Sequence, residues 1–468
     1  MITAAQAPPS LGWFGIIRMG LVQAALGAIV VLTTSTLNRV MVVELALPAM
    51  LPGALVGLHY ALQVLRPRWG YGSDRSPRRT PWIIGGIAVL AAGGALAALA
   101  TALMTLHVDA GVALAVLAFL LIGAGVGAAG TSLLTLLAQR VDERRRAVAA
   151  TIVWIMMIAG FVITTIVAGS FLDPFTPARL VAVASTVSAV ALAVTLLAMR
   201  GLEGPGRTPA EVAAQAQEAQ AEEAQTDFFA TLRQVWQEAP ARRFTIFIFV
   251  SMLAYSAQDL ILEPFAGAVF GMTPGQSTKL GGMQHAGALV GMILVGIAGT
   301  LSRRERVEAV RSWMVAGCLF SATLLVLLAA AGLAGTLPDG TPQWPLTALV
   351  LALGVGNGAF AIAAVGSMMA MASDGKGGRD GTRMGLWGAA QAVAFGIGGF
   401  AGTMAADLAR ALLTSQAVAY GMVFVAEAGL FVAAAVLALR LRRSARPRDI
   451  SLHHGGFAGR EPAAVSRS

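Results

Sequence analysis

The chain has 468 residues, 57% of them hydrophobic and only 12% charged, with 54 glycines. That balance excludes a soluble multidomain enzyme and describes a polytopic helical membrane protein. The formal net charge of +9 follows the loops between apolar runs, so it does not mark a nucleic-acid-binding surface.

Apolar runs long enough to cross a bilayer core of roughly 30 Å predict twelve spans: 18–38, 45–65, 82–106, 111–138, 147–171, 178–199, 244–269, 278–300, 308–334, 345–372, 384–410 and 416–440. The N-terminus, MITAAQAPPS, has no basic n-region and no A-x-A-like site before the first span, so no cleaved signal peptide is expected. Basic residues crowd the loops after spans 2, 4, 8, 10 and 12. Of the 33 Lys and Arg, only Arg39, Arg179, Lys279 and Arg410 fall on the other face. Basic loops stay inside, so both termini are expected in the cytoplasm. The single cysteine, Cys318, lies in an apolar run and reads as a small buried hydrophobe.

Span 1 ends in the stretch Thr33 to Pro48, TTSTLNRVMVVELALP, which sets Asn38, Arg39 and Glu44 among apolar residues. Ionisable groups at that depth are costly and point to function. The plain alternative is an arginine snorkelling to headgroups at a helix end. In span 2, His59 and Gln63 share one helical face; Gln284 and His285 sit early in span 8. A neutral imidazole there can bond across helices, or ligate a metal such as the magnesium of a chlorin. After span 2, Gly70, Asp74, Arg75, Arg78 and Arg79 in GYGSDRSPRR match the G-x-x-x-D-R-x-G-R-R loop of the major facilitator superfamily, with Pro77 in place of its second glycine. A tight turn whose Asp pairs with Arg and caps neighbouring helix ends is expected. In that superfamily the loop serves gating and says nothing about ligand.

The connection between spans 6 and 7 is rich in Ala, Gln and Glu. Phe228, Phe229, Leu232, Val235 and Trp236 then follow helical spacing, as in an amphipathic segment lying on a membrane surface. This divides the chain into an N-terminal six-span half (1–200), a cytoplasmic linker (201–242), a C-terminal six-span half (243–441) and a basic tail (442–468). A weak internal repeat agrees. Span 4 carries Gly123, Gly125 and Gly127; span 10 carries Gly354, Gly356 and Gly358. Spans 1 and 7 both end in a hydroxyl, a polar pair, an apolar run and a Glu near Pro. Two related six-helix halves predict an all-α, major-facilitator-type fold.

Span 7 contributes Gln258, Asp259 and Glu263, with Pro264 expected to break or end its helix. A two-fold relation between the halves would bring the ends of spans 1 and 7 together. The expectation is a polar cluster between the halves, with Arg39 paired to Asp259 or Glu263. Asn357 is expected to bond across helices, and Asp407 to reach Arg410. No cluster has zinc-like spacing, and no nucleophile–base arrangement or dinucleotide fingerprint appears, so no enzyme is expected.

At TLNRVMVVEL, LHYALQVLRPRWGYGSDRSPRRTPWIIGG and LAQRVDERRRAVAATIVWIMMIAG, the chain resembles the PucC/LhaA family, the bacteriochlorophyll-delivery members of the major facilitator superfamily, and the PucC branch more closely. The resemblance spans about Gly12 to Arg443. It implies a factor for assembling light-harvesting antenna complexes in a bacterial cytoplasmic or intracytoplasmic photosynthetic membrane. The implied partners are bacteriochlorophyll as cargo, antenna polypeptides, membrane lipids and pigment-synthesis enzymes. No catalytic residues transfer. His59 and His285 as pigment ligands are a reading of the residues themselves. A proton-coupled transporter of a hydrophobic compound and a pigment-free scaffold remain the alternatives.

Overall fold

The structure, a computed structural model, describes residues 10–204, 208, 210, 212, 228–301, 306–373 and 380–441. Expectations for 213–227, Arg303, Arg304, Lys376, Arg379 and the tail from 442 lie outside the described residues. Among the described residues, eleven helices are long and apolar enough to cross a membrane, and a twelfth, Met50–Leu65, is shorter. A lipid-facing backbone has no water to bond, so helices are the economical solution. We number them α1 (Trp13–Glu44), α2 (Met50–Leu65), α3 (Thr80–Leu103), α4 (Val108–Arg140), α5 (Arg146–Phe171), α6 (Pro177–Met199), α7 (Ala239–Phe270), α8 (Pro274–Leu301), α9 (Arg306–Ala334), α10 (Leu346–Ser373), α11 (Asp380–Leu412) and α12 (Gln416–Leu439). α2 runs on into a further helix, Arg66–Asp74. Below, the near end of the bundle is where α1 begins and α12 ends; the far end is opposite.

Two helices depart from expectation. α1 does not stop at 38. It continues through two π-helical stretches, Leu32–Thr36 and Val40–Glu44, and so carries Asn38 and Arg39 inside the bundle. Wider winding loosens carbonyls one turn earlier. Thr33 Oγ1 donates to Val30 O (2.8 Å) and Thr34 Oγ1 to the same oxygen (3.0 Å). Nor does Pro264 end α7, which continues to Phe270 and closes on Gly271 in the left-handed conformation (φ 65°). Only glycine adopts that φ without strain.

The chain forms two hydrophobic cores. One, from Ile16 to Leu202, belongs to α1–α6; the other, from Phe244 to Leu441, belongs to α7–α12. Their internal packing matches pair for pair. α3 packs on α4 and α9 on α10; α1 on α5 and α7 on α11; α2 on α4 and α8 on α10; α3 on α6 and α9 on α12. The glycine strips do the same job in each half. A Cβ on Gly123 would lie 2.8 Å from His59 O of α2, and one on Gly125 would lie 2.6 Å from Gly86 O of α3. In the other half, Gly354 meets Gln284 O of α8 at 2.0 Å and Gly356 meets Ser321 Oγ of α9 at 2.6 Å. Small residues let the backbones touch where lipid supplies no hydrophobic drive.

The linker contributes one described helix, Phe228–Gln237, in which Val235 is buried and Trp236 is 43% exposed.

Candidate functional site: the seam between the halves

The halves meet along α1 with α7, α2 with α11, and α5 with α8. Among the described residues, the hydrogen bonds that join them all lie toward the far end. Two near-end bonds stay within a half: Arg18 Nε donates to Ala198 O (2.9 Å), and Arg311 Nη1 donates to Leu441 O (3.5 Å).

Between its far rim and the middle of the bundle, the seam is polar. Glu263, 1% exposed, accepts a hydrogen bond from Ser35 Oγ and a longer one from Thr278 Oγ1 (3.4 Å). Thr278 also meets Thr36 Oγ1 at 3.1 Å. Asn38 Nδ2 donates to Leu260 O, which has a local cause. Pro264 carries no N–H, so the carbonyl four residues earlier loses its helical donor. That carbonyl is Leu260 O, and Asn38 reaches across the seam to satisfy it.

Arg39 does not pair with Asp259 or Glu263, and this corrects the sequence expectation. Its guanidinium pairs with Glu44 of the same helix and donates to Met272 O at 2.5 Å, just past α7. The π winding explains the partner: at i→i+5 periodicity Glu44 comes round to the face of Arg39, where α-helical winding would turn it away. Gly267 makes room, since a Cβ there would lie 2.9 Å from Arg39 Nη2. The seam still joins the halves at this level, through Ser35, Thr36, Asn38 and Arg39, but as hydrogen bonds. Gln258 is fully buried, with neither amide atom partnered.

Two aspartates that sequence reasoning did not place on the seam close its far end. Asp407 of α11 accepts from Ala49 N (2.9 Å) and Met50 N (2.7 Å), capping α2. It also pairs with Arg410, as expected. Asp173, just past α5, accepts from Thr273 Oγ1 (2.7 Å) and Gly275 N (3.2 Å) at the start of α8. Each half thus supplies a carboxylate to a helix N-terminus of the other, where unpaired N–H groups and the helix dipole favour negative charge. Neither interaction has a local sequence signature; only the two-fold relation predicts them.

Toward the middle of the bundle the seam is aromatic. Tyr60 of α2 lies 5.3 Å from Phe395 of α11 between ring centroids, and Phe395 lies 5.7 Å from Tyr255 of α7. Tyr255 also sits edge-on to Phe360 of α10 at 6.4 Å. Tyr60, Tyr255 and Phe395 are half-buried at the centre of the molecule, as is Asp259, which lies within electrostatic reach of both tyrosines. Composition, at 7% aromatic, hides this grouping because its rings come from four helices.

The two span histidines occupy equivalent places, at the same interval past the capped residues Ala49 and Gly275. Both are nearly inaccessible, at 1% for His59 and 4% for His285. Gln63 Nε2 lies 2.9 Å from His59 Nε2, leaving Nδ1 as the nitrogen without a partner. His285 faces Phe161 of α5, centroids 5.0 Å apart, and its Nδ1 also lacks a partner. A macrocycle reaches either ring only if the helices separate.

In the loop after α2, Gly70 and Asp74 belong to the helix Arg66–Asp74, and the turn follows it. Asp74 pairs with Arg79. Arg79, 1% exposed, also donates to Ser73 Oγ (2.9 Å) and Gln139 Oε1 (3.0 Å). Arg75 and Arg78 are exposed. The capping expected of Asp74 is performed instead by Glu203, which accepts from Thr80 N (2.7 Å) and Thr80 Oγ1 (2.6 Å) at the start of α3. Asn357 Oδ1 accepts from Ser321 Oγ of α9 at 2.8 Å, the cross-helix bond expected of it.

Comparison with known proteins gives this architecture relatives. The sequence profile of the family described as PUCC protein matches residues 36–446. The chain is 50% identical to a protein of Rhodobacter capsulatus named bacteriochlorophyll synthase 44.5 kDa chain, over 92% of this chain and 95% of that one. It is 28% identical to Protein PucC of Cereibacter sphaeroides, over 92% of each. Among solved structures, the nucleoside transporter NupG superposes with a TM-score of 0.63 at 14% identity, covering 91% of this chain and 98% of that one. That likeness is one of fold, the major-facilitator type.

Proposed function

The chain belongs to the PUCC protein family, and from that premise we propose that it is an assembly factor for a light-harvesting antenna complex. In this reading it holds a flat, apolar pigment of the bacteriochlorophyll class between its halves and passes it to antenna polypeptides within the membrane. Both termini face the cytoplasm, as the basic loops require. The supporting observation is the half-buried aromatic group Tyr60, Tyr255 and Phe395 on the seam. Aromatic rings offer stacking faces to a planar macrocycle, and a cargo that already dissolves in lipid needs an apolar crevice more than an aqueous channel. We read the chain as non-enzymatic. The synthase name of the Rhodobacter capsulatus relative then fits a membrane protein working beside pigment synthesis.

The test is complementation in a pigment-producing host deleted for this gene. The deletion is expected to lose antenna near-infrared absorbance, and the wild-type chain to restore it. Tyr255→Ala with Phe395→Ala is expected to restore less than a tenth while accumulating normally in the membrane. Full restoration by that variant would remove the aromatic seam from the account.

A second reading draws on the carboxylates Asp259 and Glu263 on the seam: proton-coupled transport of a hydrophobic compound. It requires pH-driven flux in vesicles that Asp259→Asn or Glu263→Gln abolishes. Flux of that kind without any antenna defect would replace the assembly reading.

A further inference from the structure

An unpaired carboxylate is costly inside a membrane bundle, so it points to function. On the seam most carboxylates have partners. Glu44 pairs with Arg39, Glu263 accepts from Ser35 and Thr278, and Asp173 and Asp407 cap helices of the opposite half. Asp259 differs: among the described residues it makes no hydrogen bond and no ion pair. It is half-buried, and its oxygens are not sealed by packing. Glu427 of α12 also lacks partners, but it is 2% exposed, on a helix packed against α9, α7 and α11 within one half.

The surroundings of Asp259 are aromatic. It follows Tyr255 by four residues, on the same face of α7, and Tyr60 of α2 is within its electrostatic reach across the seam. Phe395 of α11 lies against both tyrosines. One accessible oxygen ligand thus stands among three rings drawn from both halves. Beyond them α2 and α11 close in, since a Cβ on Gly57 would lie 3.5 Å from Gly396 O.

What this carboxylate can recognise follows from the chemistry of the cargo. In a metallated macrocycle the ring nitrogens keep no N–H, and the peripheral carbonyls only accept. An ionised carboxylate also only accepts, so its one complementary centre there is the magnesium. That ion is hard and prefers oxygen ligands, and the ring nitrogens leave its axial position free. His59 and His285 carry a suitable nitrogen but are closed off, at 1% and 4% exposure.

We propose that Asp259 is the axial ligand by which the seam tells a magnesium-bearing macrocycle from its metal-free counterpart. This rests on the reading of the chain as a pigment carrier. A carboxylate oxygen takes the axial position from solvent, with no redox change. Selection follows because the metal-free ring offers the carboxylate nothing and leaves it desolvated and unpaired, the situation in which polar sites discriminate most strongly.

The experiment titrates the full-length protein, purified in mild detergent from a host without pigment, with bacteriochlorophyll a or with bacteriopheophytin a, its magnesium-free form. Wild type is expected to bind bacteriochlorophyll on the order of tenfold more tightly, and infrared difference spectra to show a carboxylate band that shifts on binding. Asp259→Ala should bring the two affinities together by weakening bacteriochlorophyll alone, should lose that band, and should unfold at no lower temperature than wild type. Asp259→His should restore the discrimination, since an imidazole also ligates magnesium. Equal binding of the two pigments by wild type, or a loss in Asp259→Ala that falls on both alike, would overturn the proposal and leave pigment carriage standing. Binding of neither pigment would overturn the carriage reading and this proposal with it.

Discussion

Arg39 and Glu44 share one ion pair but not one environment. The arginine side chain is 2% exposed and the glutamate 33%. Removing Glu44 leaves a guanidinium buried without its counter-charge, whereas removing Arg39 leaves a carboxylate that reaches water. Glu44→Ala is therefore expected to destabilise the protein by about 3 kcal/mol, the usual scale for an orphaned buried charge, and Arg39→Met by clearly less. Thermal unfolding in detergent measures both; equal losses would contradict the asymmetry. Exchanging the charges of Arg39 and Asp259 should rescue nothing, since they are not partners. The bond from Asn38 to Leu260 O yields a sharper test at this scale. Asn38→Ala should cost about 1–3 kcal/mol by leaving a buried carbonyl unpaired. In a Pro264→Ala background the helix regains its own donor for that carbonyl, and the cost should fall toward zero. An unchanged cost would mean that Pro264 is not why Asn38 is there. Asn38, Arg39 and Glu44 were legible as special because polar groups are rare in apolar runs. Their partners were not, because π winding and the docking of a distant helix decide them.

At the scale of helices, the seam is held by N-terminal caps exchanged between halves: Asp407 on α2 and Asp173 on α8. Each cap is worth about 0.5–2 kcal/mol, and the two act on the same end. Asp173→Ala with Asp407→Ala is expected to let the far ends of the halves separate. Spin labels at the exposed far-end positions His107 and Leu337 would report a longer or broader distance distribution by pulsed electron resonance. An unchanged distribution would show that the polar layer at Ser35, Asn38 and Glu263 holds the seam unaided. The spans themselves could be read from apolar length, and the glycine strips from their spacing. Misplaced were the end of α1 and the role of Pro264, both set by tertiary contacts that override local propensity. The capping duty assigned to Asp74 falls to Glu203, a residue far along the chain that no local pattern connects to α3.

For the molecule as a whole, two internally matched halves are hydrogen-bonded toward one end and meet through aromatic rings toward the middle. The halves and the family were legible in the sequence, from the repeated glycines and from stretches such as NRVMVVEL. The aromatic seam was not, because Tyr60, Tyr255, Phe360 and Phe395 converge only when four helices are assembled. It moves attention away from His59 and His285, which are closed off by helix packing. The most direct measurement is the absorption spectrum of the protein purified in mild detergent from a bacteriochlorophyll-producing host that lacks all antenna polypeptides. The account predicts a near-infrared band at a fixed pigment-to-protein ratio, lost in Tyr255→Ala with Phe395→Ala. A colourless protein that still restores antenna assembly in cells would contradict pigment carriage and leave a scaffold for antenna polypeptides in its place.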